Sequence, residues 1–223
     1  MDFPMSQIAS KPYWYLRHGE TDWNCQGLAQ GRTDIPLNET GRQQALQAGR
    51  ALARLFDNEQ KPFARIVSSP LTRAFVTAET VQKTIQDYTG ITLPLHVDDN
   101  LQEVCFGIQE GTPMGDWYRP WIEDGLTPED AESFASLTER ARLAVNDALK
   151  KPDIPLIVAH GALFRGLRHA MKLPVDIRLP NAVPVALKFT QAGWQTEMLD
   201  TSVSATNCAP IHPTAPLEYK SKQ

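Results

Sequence analysis

The stretch Ile154-Pro155-Leu156-Ile157-Val158-Ala159-His160-Gly161-Ala162-Leu163 decides the fold. Its first six residues are almost continuously apolar, as a strand covered on both faces should be. Ala162 to Met171 then reads as a helix. Outward from this unit, Tyr13 to Leu16 and Arg65-Ile66-Val67-Ser68 read as two more strands. Helices are expected over Thr40–Phe56, with Ala45, Leu46, Gly49, Leu52, Ala53 and Phe56 on one face, and from Pro70 onward. Phe75, Ala78, Val81, Ile85 and Tyr88 line the buried side of the latter. A third helical stretch runs from Thr127 to Lys150, with Phe134, Leu137, Ala141, Ala144 and Ala148 in register. Val185–Phe189 and Trp194–Leu199 pair as a hairpin around Gln191-Ala192-Gly193. Strands alternating with helices predict an α/β domain with a largely parallel sheet.

The 223 residues suffice for one large domain with a real core. Their composition, 42% hydrophobic and 22% charged, is that of a globular protein, and no internal repeat occurs. The net charge of -4 and the lack of a long basic run argue against nucleic acid as a partner. An anion would have to be bound by a local cluster of positive charge. Cys25, Cys105 and Cys208 are scattered and odd in number, with neither a disulfide framework nor metal-ligand spacing. A reducing, cytoplasmic setting is the expectation. Met1 to Ser10 shows no signal-peptide pattern, and no apolar run reaches the about 18 residues of a membrane span.

In an open parallel sheet, ligands gather at the carboxyl ends of the strands. Arg17-His18 follow the first strand, Arg73 lies in the first turn of the helix after Ile66-Val67, and His160-Gly161 follow Ala159. If these strands are parallel neighbours, two Arg and two His converge. The helix opening near Pro70 would aim its amino end at the same place. Guanidinium forks grip phosphate oxygens, and a neutral imidazole can attack phosphorus. Glu103 supplies a carboxyl near the same edge.

Each residue alone has a plainer reading. A strand-end His is ordinarily structural, Arg73 a helix-surface charge and Glu103 a solvated carboxylate. The conjunction is what carries the signal. His96, His169 and His212 have no such context and are expected to be structural or exposed. Arg165 and Arg168 are expected on the surface or in salt bridges. Trp117, Tyr118 and Trp121 either line a ligand cap or pack.

These residues resemble the histidine phosphatase superfamily, the phosphoglycerate mutase-like group (branch 1). The resemblance runs from about Tyr13 to Leu187. It rests on Leu16-Arg17-His18-Gly19-Glu20-Thr21 with Asn24, on Gln30-Gly31-Arg32-Thr33 and Gly41-Arg42, on Ser68-Ser69-Pro70-Leu71-Thr72-Arg73-Ala74, on Leu101-Gln102-Glu103, and on Val158-Ala159-His160-Gly161. It implies a three-layer sandwich spanning residues 1–206, with a small cap around 111–131. Residues 207–223, which include Pro210, Pro213 and Pro216, are expected to form an extended or disordered tail.

The resemblance also implies roles. His18 becomes a phosphohistidine, and Arg17, Arg73 and His160 hold the phosphoryl oxygens. Glu103 acts as general acid and base. Asn24, Gln30 and Gly31 add phosphate or substrate contacts, and Gly19 and Gly161 let backbone approach the phosphate. The sequence departs from many members at Ala131-Glu132-Ser133, where they carry Gly-Glu-Ser, and Val104-Cys105-Phe106 is less acidic than in some.

A small-molecule phosphomonoester is the expected partner, with no metal and no cofactor. The first half of the segment from Glu103 to His160 offers only Arg119 as a cation, which favours hydrolysis over phosphoglycerate mutase-type transfer. Two His and a Glu also suit a mononuclear iron site, but Arg17 and Arg73 would repel a divalent cation. A non-catalytic phospho-ligand-binding module would lack a catalytic residue, and none is missing.

Overall fold

The computed structural model describes residues 7–56 and 61–201. The expected tail, with Cys208 and His212, lies outside the described residues. The described part is an α/β fold around a six-stranded mixed sheet of order β3-β2-β4-β1-β5-β6. The strands are β1 (Tyr13–Arg17), β2 (Arg65–Ser68), β3 (Leu95–Val97), β4 (Pro155–Ala159), β5 (Pro184–Thr190) and β6 (Gly193–Met198). β1, β4, β2 and β3 run parallel; β5 pairs antiparallel with β1, and β6 with β5. β4 lies between β1 and β2 and is buried along its whole length.

The two-residue period of the strands sorts the core into two layers. Tyr13, Tyr15, Ile157, Ala159, Val185 and Leu187 face one side. There they meet Leu137, Ala141 and Val145 of α5 (Phe134–Ala148) and Leu163 and Leu167 of α6 (Gly161–Ala170). Leu16, Ile66, Leu156 and Val158 face the other, against α2 (Glu39–Ala53) and α3 (Thr72–Thr89). Gly49 sits where these two helices touch: a Cβ there would come within 2.7 Å of the Thr84 side chain. Shorter helices α1 (Asp22–Gln26) and α4 (Tyr118–Glu123) lie in the connections.

Two expectations change, and one strand carries no sequence signal. The helix placed over Thr127–Lys150 begins only at Phe134, because the Ser133 hydroxyl accepts from the Ser136 amide and caps it. Asp130, at φ 58°, interrupts any helix before that point. Tyr88 is 59% exposed, because the buried stripe of α3 runs out of cover in its last turn. The edge strand β3 has no apolar alternation to announce it: its residues are half-buried or exposed. No helix among the described residues is long and apolar enough to cross a membrane.

Candidate functional site

β1, β4 and β2 end side by side, with Arg17 opposite Ala159 and Ser68 opposite Val158. The parallel neighbours anticipated from the sequence are therefore present. A cavity of about 260 Å³ opens above these ends. It is lined by Arg17, His18, Asn24, Gln30, Gly31, Arg73, Glu103 and Gly161, eight of the ten residues given roles above, Gly19 and His160 being the other two. His160 lies behind them, fully buried, its ring centroid 5.2 Å from that of His18.

His18 is oriented by its own turn. Its Nδ1 lies 2.7 Å from the Gly19 carbonyl, which can only accept, so Nδ1 carries the proton and Nε2 keeps its lone pair. Burial, Arg73 and Arg17 hold its pKa well below the usual histidine value, so the ring is neutral at pH 7. The Gly19 amide donates to the Thr77 hydroxyl. A Cβ at Gly19 would come within 2.3 Å of the Gly41 carbonyl oxygen, so this glycine admits the amino end of α2. Gly161 lines the cavity, and its missing side chain also leaves room for the Arg17 guanidinium, whose Nε is 3.3 Å from where its Cβ would stand.

Both guanidiniums are pinned by carbonyls. Arg17 Nη1 donates to Leu179 O at 2.8 Å. Arg73 donates to Thr33 O at 2.9 Å and to Gly31 O at 2.7 Å. Among the described residues, Nε of each is buried without an acceptor, as is His160 Nδ1 without a partner. Burial, then the neighbouring Arg178, push Arg17 down to about 10, which leaves it charged at pH 7. His160 Nε2 meets the Ser69 hydroxyl at 2.7 Å. Burial and the Arg73 charge hold His160 well below the usual value too.

Glu103 does not stand as a solvated carboxylate. Its Oε2 accepts from the Ala162 amide at 3.0 Å; its Oε1 accepts from Leu163 at 2.9 Å and Val104 at 3.0 Å. The carboxyl thus caps α6, whose own N-cap, His160, offers no side-chain bond. The capping leaves a lone pair unused on Oε2, and the residue still faces the cavity.

Several participants were not legible as such. Glu110 ties the Gln30 loop in place by accepting from the Arg32 and Thr33 amides and from Phe106. Asn181 donates to His18 O and to Asn24 Oδ1, joining the first turn to the loop before β5. Tyr118, Arg165 and Arg178 line the cavity. Arg165, expected on the surface, sits one helical turn after Gly161 and shares its face, a spacing the sequence does display. Arg168 is buried and donates to the Pro174 carbonyl. Of the aromatic trio, Trp121 is core, its indole donating to Glu132 O at 3.0 Å, and Trp117 packs edge-on against Phe106.

Two buried neutral imidazoles make stability pH-dependent. Their folded pKa values are lowered, so below about pH 6.5 the unfolded chain takes up protons that the folded chain refuses. Stability therefore falls with acid. Each ring adds a slope approaching about 1.4 kcal/mol per pH unit. Denaturant unfolding of His160→Gln should show one such slope fewer than the native chain between pH 6.5 and 5; equal slopes would contradict the buried neutral ring.

The family model of the histidine phosphatase superfamily (branch 1) matches residues 13–201. A Bacillus subtilis protein named phosphatase PhoE is 34% identical over 193 residues, 81% of this chain and 89% of its own. A Salmonella arizonae protein named probable phosphoglycerate mutase GpmB is 32% identical over 198 residues, 81% of this chain and 86% of its own. Among solved structures, a mycobacterial glucosyl-3-phosphoglycerate phosphatase superposes with a TM-score of 0.66 at 28% identity, covering 84% of this chain and 97% of that one. With the matched span running from β1 through β6, the chain belongs to branch 1 of the histidine phosphatase superfamily.

Proposed function

We propose that the chain is a phosphomonoester hydrolase acting through a phosphohistidine on His18. The observation that carries this reading is the neutral His18 ring, its proton fixed on Nδ1, beside two buried guanidiniums whose Nε donors lack acceptors. A phosphoryl group would supply those acceptors.

His18 Nε2 attacks phosphorus, and the bond to the leaving alcohol oxygen breaks. Glu103, as general acid, gives a proton to that oxygen. Arg17 and Arg73 hold the phosphoryl oxygens as charge builds. Ser69 Oγ accepts from the Leu71 amide at 3.3 Å, so its hydroxyl proton is free to go to His160 Nε2, which makes His160 Nδ1–H a further donor to phosphate. Water then attacks phosphorus; Glu103 takes its proton, the N–P bond breaks, and inorganic phosphate leaves with His18 neutral again. The fixed positive charge of Arg17 and Arg73 disfavours a divalent metal in the cavity.

A mutase reading is favoured by the likeness to the GpmB protein. Against it, the Arg119 side chain is 81% exposed and paired with Glu123 at 2.7 Å, so it adds no grip for a second phosphate. The likeness to PhoE and to the mycobacterial phosphatase supports hydrolysis. The test is p-nitrophenyl phosphate turnover with and without a chelator, with acid-stable and base-stable label discriminated on the quenched protein and phosphoglycerate isomerisation assayed in parallel. Chelator-resistant release of phosphate with an acid-labile, base-stable label is expected. Isomerisation outpacing phosphate release would replace hydrolase with mutase.

A further inference from the structure

Glu103 is gripped at both ends. Its carboxyl sits on the amides of Ala162 and Leu163 in α6. Its main chain is held from α5, by Arg140. Arg140 Nη1 donates to Asn100 O at 2.8 Å and to Gln102 O at 2.7 Å, and Nη2 donates to Glu103 O at 3.4 Å. None of these three carbonyls accepts from a backbone amide among the described residues. They lie between β3 and α4, where no sheet ladder or α-helix supplies donors.

Glu132 turns Arg140 toward this loop. Arg140 Nε donates to Glu132 Oε1 at 2.9 Å and Nη2 to Oε2 at 2.7 Å, the two-pronged pairing of a guanidinium with a carboxylate. With the three carbonyls, this engages every N–H of the guanidinium. The two side chains are only 16% and 13% exposed. Glu132 is itself fixed: its amide donates to Cys105 O at 2.8 Å, and its carbonyl accepts from the Trp121 indole. It is the middle residue of Ala131-Glu132-Ser133, whose last member caps α5.

A clasp of this kind would stabilise the fold wherever it stood. This one stands on the three carbonyls that lead into the acid. Glu103 has to serve twice from one place, first giving a proton to the leaving alcohol and then taking one from water. Misplacing a reacting group by about 1 Å can cost roughly 10²-fold.

We propose that Arg140, oriented by Glu132, is a positioning residue for Glu103: it fixes the loop over residues 100–103 so that the carboxyl stays aimed at the leaving oxygen through both steps. The inference rests on the hydrolase reading, with Glu103 as its acid and base.

The test measures single-turnover phosphoryl transfer from glycerol 3-phosphate, whose alkoxide needs a proton, and from p-nitrophenyl phosphate, whose phenolate does not. Arg140→Ala should slow the alkyl ester by about 10²-fold and the aryl ester by less than about threefold. Inhibition by inorganic phosphate should not change, because Arg17 and Arg73 keep their own anchors. Glu132→Gln should slow the same ester selectively. In a Glu103→Gln background, Arg140→Ala should cost the alkyl ester less than about threefold more, as expected of coupled residues. Arg140 borders a groove of about 1130 Å³, which gives ethylguanidinium access to the gap left by Arg140→Ala. That ion should restore the alkyl-ester rate there and not in Glu103→Gln. Equal slowing of the two esters, or losses that add fully to those of Glu103→Gln, would overturn the positioning role. Should Arg140→Ala not fold, Arg140→Lys, which keeps the charge without the fork, carries the same comparisons. A native enzyme that isomerises phosphoglycerate instead of releasing phosphate would sink the hydrolase reading; the double-mutant cycle, read on isomerisation, would still decide the link from Arg140 to Glu103.

Discussion

Replacing His18 by alanine is expected to lower turnover of p-nitrophenyl phosphate by at least about four orders of magnitude, the scale seen when a covalent nucleophile is removed. The expectation follows from how little else in the cavity could attack phosphorus. Arg17 and Arg73 stay charged or are tied to carbonyls, and His160 directs Nε2 at Ser69 from a fully buried position. Only His18 combines a neutral ring, an Nδ1 proton fixed by a carbonyl and a place in the cavity wall. The substitution removes a buried imidazole that is costly to protonate, so the folded state should survive it, and circular dichroism would confirm that. Turnover within tenfold of native would refute the nucleophile assignment.

Glu103→Gln should separate two kinds of ester. General acid catalysis is worth about 10²–10⁴-fold where the leaving alcohol needs a proton, and far less for nitrophenolate. The slowing of phosphoryl transfer to His18 should therefore be large for an alkyl phosphate and small for p-nitrophenyl phosphate. With the aryl ester, a burst of nitrophenolate should precede a slow steady state, because the amide cannot take a proton from the attacking water. Glu103 also caps α6, and glutamine keeps one carbonyl oxygen for that purpose. The expected loss of stability is about 1 kcal/mol, the scale of a lost cap bond. A pure capping role would slow both esters equally in single-turnover experiments.

Much of the site was legible because each piece sits where a strand stops. An apolar run ending in Arg17-His18, another ending in His160 and a third followed by Arg73 are local patterns, and the parallel sheet converts them into one place. Glu103 was legible as a carboxyl near that edge but not as a helix cap, since those partners are backbone amides 59 and 60 residues away. Asn181 and Arg178 lay beyond reach for a similar reason: they come from the irregular connection between α6 and β5, where no period marks a side chain. Arg165 could have been read from its spacing to Gly161, and was masked by the ordinary expectation that a helical arginine faces water. The overlong third helix shows the opposite failing, where apolar period continued backward past Ser133 into backbone that Asp130 turns away from helix.

The position of β4 has a bearing on the birth of the molecule. β1 and β2 share no hydrogen bonds with each other; both wait for a strand that begins at Pro155. Until that segment is available, neither β1 nor β2 has the neighbour that lies between them in the sheet. Arg17-His18 and Arg73 meet before that only through the Gly19 amide on Thr77 of α3. Chains of this topology close late and through contacts far apart in sequence, which slows folding and lengthens exposure to aggregation. The strand that joins β1 to β2 also delivers His160 and the helix that Glu103 caps, so the two halves of the site and of the parallel sheet come together through one segment.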